Sequence, residues 1–297
     1  MSGFTEATTS DGRTLEVLTG GAEDGYPLLL HGGTPSAAAP YDRLDEAFVE
    51  AGLKLVTYSR PGYGGSTPRD ISVGEPRIAD DVPDSLAVVD HLGIDEFVTL
   101  GWSGGGPRAL ACAALAPDRC RAAATLAGVA PYDAEGLDWL AGMGPENVED
   151  FGMAVQGPEV YEAFLEKTIP PLFEATPDQL VESFGGLVTP VDAAFITGDF
   201  ADYLSRVFGR AGAQGVIGVR DDALAIVAPW GFGLDDLTVP VAVWQGRQDA
   251  MVPFSHGEWL AANVAGATPH LFEEEGHLSL FAQIEAILAD IKKIAGV

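Results

Sequence analysis

A Gly-Trp-Ser-Gly-Gly turn around Ser103 constrains this chain more than any other feature. The apolar run at residues 97–100 before it is typical of a buried strand, and the small residues at 107–116 after it are typical of a helix. In a tight turn of this kind the central residue has a strained backbone, and the positions two before and two after it must be small. Gly101 and Gly105 meet that requirement.

The same turn predicts a reactive hydroxyl beside an anion-binding N–H group. It lifts the Ser103 hydroxyl clear of the sheet and places the N–H of Gly104 at a helix N-terminus, where a developing oxyanion is stabilised. In a chain with 37 glycines, such a turn can also do no more than join a strand to a helix. The functional interpretation therefore depends on a base, an acid and a second oxyanion donor elsewhere in the sequence.

Alternating strands and helices indicate a parallel sheet. Short apolar runs alternate with helical patterns over residues 27–128 and again from residue 239, as expected for strands joined by crossover helices. Residues 132–232 contain no convincing strand and carry aromatic and methionine residues at helical spacing. We therefore predict an α/β fold with a core made of residues 1–131 and 233–297 and a helical cap inserted at residues 132–232.

A base and an acid are predicted at positions that follow strands. Reacting groups gather at the carboxyl ends of parallel strands, and Asp249 and His277 both come just after such a run. We expect His277 to accept the Ser103 proton and Asp249 to orient the imidazole. Asp133, which follows the preceding sheet strand, is the alternative acid. The acidic run at residues 273–275 is expected to lie at a solvated edge and to raise the pKa of His277.

The loop after the first core strand is expected to complete an oxyanion site. It reads His-Gly-Gly-Thr, and we predict the N–H of Gly33 as the second donor, with Thr34 as the alternative. Removing one such donor costs on the order of 3 kcal/mol of transition-state stabilisation. His31 itself is expected to bond to loop backbone, and His256, which begins a helix, is expected to be exposed.

The charge balance restricts the partners. Lys and Arg total 16 against 44 Asp and Glu, a formal net charge of −28 that repels nucleic acid and anionic membrane surfaces. Cys112 and Cys120 form neither a disulfide framework nor a metal-ligand spacing and are expected to be reduced, apolar side chains. The sequence carries no signal-peptide pattern and no run of membrane-spanning length, which favours a cytoplasmic protein. The partner that we expect is a small-molecule substrate.

Five motifs together resemble the α/β-hydrolase superfamily over almost the whole chain. They are His-Gly-Gly from residue 31, Arg-Pro-Gly-Tyr-Gly-Gly-Ser from residue 60, the turn around Ser103, Gly-Arg-Gln-Asp from residue 246 and Gly-His from residue 276. The resemblance implies an eight-stranded, mostly parallel sheet flanked by helices, a helical cap, and a Ser-His-Asp hydrolase that uses no cofactor and no metal. Haloalkane dehalogenases and epoxide hydrolases carry Asp in place of this serine. The His-Gly-Gly start and the cap resemble proline iminopeptidases, although their usual His-Gly-Gly-Pro-Gly and Gly-Gly-Ser-Trp-Gly motifs are altered here.

Three functions are consistent with these residues. The first is a serine hydrolase with catalytic Ser103, Asp249 and His277 and oxyanion donors Gly33 and Gly104, which cleaves a small carboxylic ester, thioester or lactone through an acyl-enzyme. The second is an aminopeptidase of the proline iminopeptidase type, in which carboxylates of the cap bind the substrate ammonium. The third is a small-molecule receptor that keeps the fold without turnover. The sequence leaves the substrate and the oligomeric state open.

Overall fold

In the computed structural model, which describes residues 3–297, eight strands form one sheet. The strands are β1 (Phe4–Thr8), β2 (Thr14–Gly21), β3 (Tyr26–His31), β4 (Leu53–Tyr58), β5 (Phe97–Trp102), β6 (Cys120–Leu126), β7 (Val241–Gly246) and β8 (Thr268–Phe272). Their order across the sheet is β1-β2-β4-β3-β5-β6-β7-β8. β2 runs antiparallel to both of its neighbours, β1 and β4, and all the other neighbouring pairs are parallel. The predicted eight-stranded, mostly parallel sheet is confirmed.

Twelve α-helices within the described residues surround or follow these strands. They are α1 (Asp42–Ala51), α2 (Val82–His91), α3 (Gly106–Leu115), α4 (Pro145–Ala154), α5 (Pro158–Thr168), α6 (Pro170–Phe173), α7 (Leu180–Phe184), α8 (Pro190–Phe195), α9 (Gly198–Ala211), α10 (Ile217–Val227), α11 (Phe254–Asn263) and α12 (Ile284–Ala295). Helices α4 to α10 all lie between β6 and β7, and we call the whole stretch between these two strands, residues 127–240, the helical insertion. None of these helices is long and apolar enough to cross a bilayer. The exact division into a core and a cap stays a prediction.

The core lies on both faces of the sheet because side chains of a strand point alternately to either side. Leu29 and Val56 belong to an apolar cluster that also contains buried side chains of α2, α3 and α11. Their neighbours Leu28 and Leu55 belong to a second cluster, formed with α1 and α12. Burying a side chain of this size stabilises the fold by about 1.5–3 kcal/mol. The two-sided burial explains why the central strands are nearly continuous apolar runs.

The register of the parallel strands brings several loops to one edge of the sheet. His31 at the end of β3 lies opposite Gly101 of β5, and Leu126 at the end of β6 lies opposite Trp244 of β7. The loops that follow β3, β5, β7 and β8 therefore leave the sheet on the same side. This edge carries every residue that the sequence predicts for catalysis.

Candidate active site

The turn after β5 holds Ser103 in a conformation that L-residues rarely adopt. Its φ is 55°, and it begins a short 3-10 turn between β5 and α3. A non-glycine residue in this region costs on the order of 1–3 kcal/mol, so the surrounding fold must hold it there. A Cβ on Gly101 would overlap the backbone of Gly105, and a Cβ on Gly105 would overlap the carbonyl group of His31. The two glycines therefore allow α3 to fold back closely onto the sheet.

His277 and Asp249 form a buried pair. His277 Nδ1 lies 2.8 Å from Asp249 Oδ2, and the two side chains are 2% and 0% exposed. The carboxylate of Asp249 is itself held, because Oδ1 accepts the backbone N–H groups of Met251 and Val252, each at 2.8 Å. Gln245 Nε2 donates to Oδ2 at 3.0 Å. Three donors besides His277 thus hold the carboxylate in place against the imidazole.

Two carboxylates set the charge state of this histidine. Burial by itself lowers the pKa of His277, but the adjacent Asp249 carboxylate and, after it, Asp192 raise that pKa above its usual value. An ionised Asp249 at Nδ1 also selects the tautomer in which Nε2 is free to accept a proton. The second charge comes from Asp192 in the helical insertion, whereas the sequence suggested the acidic run at residues 273–275.

Among the described residues, Ser103 makes no hydrogen bond to this pair. Within residues 3–297 the imidazole of His277 bonds only to Asp249. Trp102, the residue before the serine, places its ring centroid 5.7 Å from that of His277. Hydrogen bonds to a nucleophile often tighten only once substrate binds, and proton transfer from Ser103 to His277 stays a prediction. Of the two acids that the sequence offers, Asp249 is paired with the histidine and Asp133 is exposed.

The two predicted oxyanion loops converge at Ser103. A Cβ on Gly33 would lie 3.3 Å from the Ser103 Cβ, and a Cβ on Gly104 would lie 2.6 Å from the Thr34 hydroxyl. Arg60 binds the carbonyl oxygens of residues 32 and 33 at 2.7 and 2.6 Å. A trans peptide carries its N–H opposite its carbonyl, so the N–H groups of Gly33 and Thr34 both point away from Arg60. Both residues remain candidates for the second donor.

A buried charge network supports these loops from behind. Asp222 of α10 accepts from Arg60 Nη2 at 2.5 Å and from Arg108 Nη2 at 2.7 Å. It also accepts from the hydroxyl groups of Thr34 at 2.6 Å and Tyr63 at 3.0 Å. All three charged side chains are at most 6% exposed. Arg108 in turn donates to the carbonyl oxygen of Gly104 at 2.5 Å. One carboxylate of the helical insertion is therefore connected to both oxyanion loops.

Sequence reasoning missed the supporting residues of the site. Arg60 stands out in the sequence only as part of a glycine-rich motif, and Arg108 lies five residues after Ser103 in a helix whose other residues are all apolar. A buried arginine in such a helix is a signal that could have been used, because it requires a partner. Nothing in the sequence marks Asp192 or Asp222 among 44 acidic residues.

A cavity of about 300 Å³ opens above the serine. Ser103, Gly104 and Thr34 line its floor, and the helical insertion supplies apolar walls. The apolar walls include the aromatic side chains Phe151, Phe164 and Phe184. Three acidic residues, Glu146, Glu149 and Asp150, also line the cavity, and no Lys, Arg or His does so among the described residues. A ligand in this cavity therefore meets an apolar surface with negative charge.

One of these acids is removed from most of its solvent. Both carboxylate oxygens of Asp150 accept from the Tyr161 hydroxyl, at 3.0 and 2.9 Å. Burial raises the pKa of Asp150 to about 6, an effect that the hydrogen bond from Tyr161 opposes. A cationic ligand group beside Asp150 would lower that pKa again.

Two histidines differ from the sequence-based expectation. His31 does not bond to loop backbone: it is buried, its Nε2 lies 3.8 Å from Cys112 Sγ, and burial lowers its pKa to about 3. His256 is buried rather than exposed, because Nδ1 accepts the Ala130 N–H at 3.1 Å and Nε2 lies 2.8 Å from the Trp139 carbonyl oxygen. Burial lowers the pKa of His256 to about 4, so this ring is a neutral link between the helical insertion and α11. Both cysteines are free and buried, as predicted.

Comparisons with known proteins agree with this architecture. A family model described as alpha/beta hydrolase fold matches residues 26–176. A 2-hydroxy-6-oxononadienedioate/2-hydroxy-6-oxononatrienedioate hydrolase of Klebsiella pneumoniae is 26% identical, over 92% of this chain and 91% of that protein. A proline iminopeptidase of Arabidopsis thaliana is 31% identical over 52% of this chain and 38% of its own length. Among solved structures, a hydrolase from Pseudomonas aeruginosa has the same fold, with a TM-score of 0.67 at 22% identity over 100% of this chain and 99% of that one.

Proposed function

Because this chain belongs to the α/β-hydrolase fold family, we propose that it is a serine hydrolase acting on small carboxylic esters, thioesters or lactones. One observation carries the proposal: a serine with positive φ lies on the floor of a cavity, and the preceding residue, Trp102, packs its ring near the histidine of a buried His–Asp pair. A protein that only binds a ligand has no use for a strained turn at this position.

The mechanism follows from the roles that these side chains can take. His277 Nε2 accepts the Ser103 proton while Oγ attacks the carbonyl carbon, and Asp249 stabilises the imidazolium that forms. The N–H of Gly104 and that of Gly33 or Thr34 stabilise the oxyanion. Collapse of the tetrahedral intermediate breaks the bond to the alcohol or thiol, which leaves with the proton from His277. Water then attacks the acyl-enzyme with the same imidazole as base.

The direct test compares the wild-type protein with Ser103→Ala on p-nitrophenyl acetate and butyrate. Turnover by the variant is expected to fall at least about 10³-fold, because the nucleophile of the acyl-enzyme is lost. Ser72→Ala, which changes an exposed serine, is the matched control and should retain wild-type turnover. Equal turnover by Ser103→Ala and wild type would refute the proposal. Failure of a fluorophosphonate probe to label Ser103 would favour the receptor.

The charge of the cavity favours neutral or cationic substrates over anionic ones. A carboxylate buried next to Glu146, Glu149 and Asp150 would meet like charge without a cation in the lining. We therefore propose that this chain does not accept dicarboxylates, although the name of its Klebsiella pneumoniae relative denotes one. A pair of p-nitrophenyl esters of equal length, one ending in a carboxylate and one in a methyl group, measures this discrimination directly.

The same acidic lining keeps an aminopeptidase as the second candidate. Asp150 and its neighbours could bind the ammonium group of an N-terminal residue, and proline iminopeptidase is the name of one relative. Hydrolysis of proline p-nitroanilide at a rate above that of the p-nitrophenyl esters would favour this candidate. Asp150→Asn should then raise KM for the anilide and leave the esters little affected.

A further inference from the structure

Asp192 of α8 binds the loop that carries the predicted base. Its Oδ2 accepts the N–H of His277 at 3.0 Å, and its Oδ1 accepts the N–H groups of Leu278 and Ser279 at 2.8 and 2.9 Å. The side chain of Asp192 is 0% exposed, and its other bond is a long one of 3.3 Å from the Thr189 hydroxyl. A carboxylate of the helical insertion thus satisfies three consecutive backbone donors of a loop that follows β8.

Gly276 gives an independent indication that this contact shapes the loop. A Cβ on Gly276 would lie 2.5 Å from both carboxylate oxygens of Asp192. Any larger residue before His277 would therefore push Asp192 away from the loop. The glycine of the Gly-His motif is explained by this approach, because the left-handed backbone that usually requires glycine is not found there.

We propose that Asp192 is a positioning residue for His277, which fixes the backbone of its loop and adds a second negative charge behind the imidazole. This inference rests on the proposed function, because it takes His277 as the general base. Three N–H donors directed at one carboxylate hold its oxygens against the backbone of His277. The helical insertion would then supply part of the catalytic apparatus as well as the cavity wall.

The surroundings of His277 leave two charges that can act on it. Asp249 approaches the ring from the loop after β7, and Asp192 approaches the backbone from α8. The ring of Trp102 covers another side without charge. Both carboxylate oxygens of Glu275 in the same loop accept from other side chains, Oε2 from Ser279 Oγ at 2.7 Å and Oε1 from Gln283 Nε2 at 3.0 Å. Removing the charge of Asp192 should therefore lower the pKa of His277, because a nearby carboxylate favours the imidazolium.

The experiment measures the pH dependence of kcat/KM for p-nitrophenyl butyrate with wild type, Asp192→Asn and the control Asp199→Asn. The base acts when neutral, so the acidic limb of the Asp192→Asn profile should move to lower pH by at least about 0.5 unit. We also expect kcat to fall about 10-fold, since the asparagine amide would face the His277 N–H in place of an acceptor. Asp199 is exposed on the neighbouring helix α9, and its variant should give the wild-type profile.

A second readout separates this inference from the proposed function. NMR titration of protein labelled at histidine, with His277→Gln to assign the signal, reports the imidazole pKa whether or not the protein hydrolyses an ester. A His277 pKa that is the same in wild type and Asp192→Asn would overturn the role of Asp192. If Ser103→Ala hydrolyses the esters as fast as wild type does, the proposed function is refuted. The titration then still tests whether Asp192 raises the pKa of His277. Should Asp192→Asn not fold, Asp192→Glu keeps the charge, and we expect an unmoved acidic limb with a lowered kcat; an unchanged kcat would overturn the inference.

Discussion

Single glycines decide whether the serine turn can form. Gly101 and Gly105 leave no room for a Cβ because backbone atoms, which cannot move aside, fill the space. The strain of Ser103 at a φ of 55° is tolerated only while this packing holds. The sequence pattern and the packing therefore lead to the same conclusion, that positions 101 and 105 require glycine.

We predict that Gly101→Ala lowers the free energy of unfolding by about 3 kcal/mol or more, because the new methyl group would force β5 and α3 apart. The matched control is Gly152→Ala in α4, where a Cβ would meet no atom within 4 Å. That change should stabilise the protein by about 0.5–1 kcal/mol through the better helix propensity of alanine. Urea denaturation of both variants measures the difference. A Gly101→Ala protein as stable as wild type would contradict the tight turn.

Asp249→Asn tests which acid serves the histidine. We expect kcat to fall about 10⁴-fold, because an amide at this position favours the wrong tautomer of His277. Asp133→Asn, at the exposed alternative acid, should leave kcat unchanged. Steady-state kinetics on p-nitrophenyl butyrate decides between them, and the opposite ranking of the two variants would assign the role to Asp133.

The residues that the sequence singles out as candidates for the site are those with a local signature. Ser103 is marked by glycines on both sides, and His277 stands in a loop after a strand. Asp192 and Asp222 have no such signature, because their partners lie on loops that are distant along the chain. The burial of His256 has no local signature either, since it depends on a contact with the Trp139 carbonyl of the helical insertion.

At the scale of elements, α10 joins the helical insertion to the sheet through charge. Its Asp222 is the counterion of Arg60 and shares Arg108 with Asp81, and both arginines have little access to water. A buried arginine without a partner is unstable by several kcal/mol, so neither side of this contact tolerates loss of the other. The helical insertion is therefore fixed to the loops beside Ser103 at this point.

Asp222→Asn should cost about 3–5 kcal/mol of stability and lower kcat, because the buried Arg60 loses its counterion, Arg108 keeps only Asp81, and the loops they bind become less ordered. The control is Asp221→Asn, one residue earlier, which pairs with Arg220 and whose pKa burial raises to about 6. Denaturation near pH 7 compares the two, and the control should lose less. An equal or smaller loss in Asp222→Asn would show that the network contributes no specific stability.

The same aspartate gives a pH dependence with a definite sign. Burial opposes its ionisation, but Arg108 and Arg60 more than compensate and lower the pKa of Asp222 to about 2. A carboxyl group with a lowered pKa stabilises the fold above its unfolded pKa, and this contribution disappears as pH falls through the folded value. The stability difference between wild type and Asp222→Asn should therefore narrow by about 2 kcal/mol between pH 5 and pH 2. A difference that widens on acidification would contradict the assignment.

Elements of the sheet could be predicted more fully than those of the helical insertion. Apolar runs such as 53–58 and 97–102 are buried on both faces, which makes their strand identity evident. Between β6 and β7 the helices are short and interrupted by Gly and Pro, so their number and packing depend on contacts between distant segments. The absence of strands there is confirmed within the described residues, whereas the sequence does not indicate which side chains of these helices line the cavity.

The whole molecule is dominated by negative charge. Its 44 acidic residues outnumber its 16 basic ones, which gives a formal net charge of −28. Mutual repulsion among these groups favours expanded states, and dissolved salt screens it over distances of about 10 Å at 0.1 M. The buried pairs around Asp222 are screened much less.

Added salt should therefore stabilise this protein. We expect Tm to rise by about 2 °C or more between 0.05 and 0.5 M KCl at pH 7. Sucrose at the same osmolarity is the control, because it alters exclusion from the surface without screening charge. A fall of Tm with KCl would indicate that surface ion pairs outweigh the repulsion. Scanning calorimetry or intrinsic fluorescence measures the transition.

The order of the site residues along the chain has a consequence for synthesis. Ser103 follows β5, whereas Asp249 and His277 follow β7 and β8, on the far side of the helical insertion. A chain emerging from the ribosome forms the serine turn long before its base exists. On the proposed mechanism, hydrolysis begins only when translation has passed His277. A protease cut between β7 and β8 that releases the downstream fragment would leave Ser103 in place but remove His277, so the proposed hydrolysis would stop.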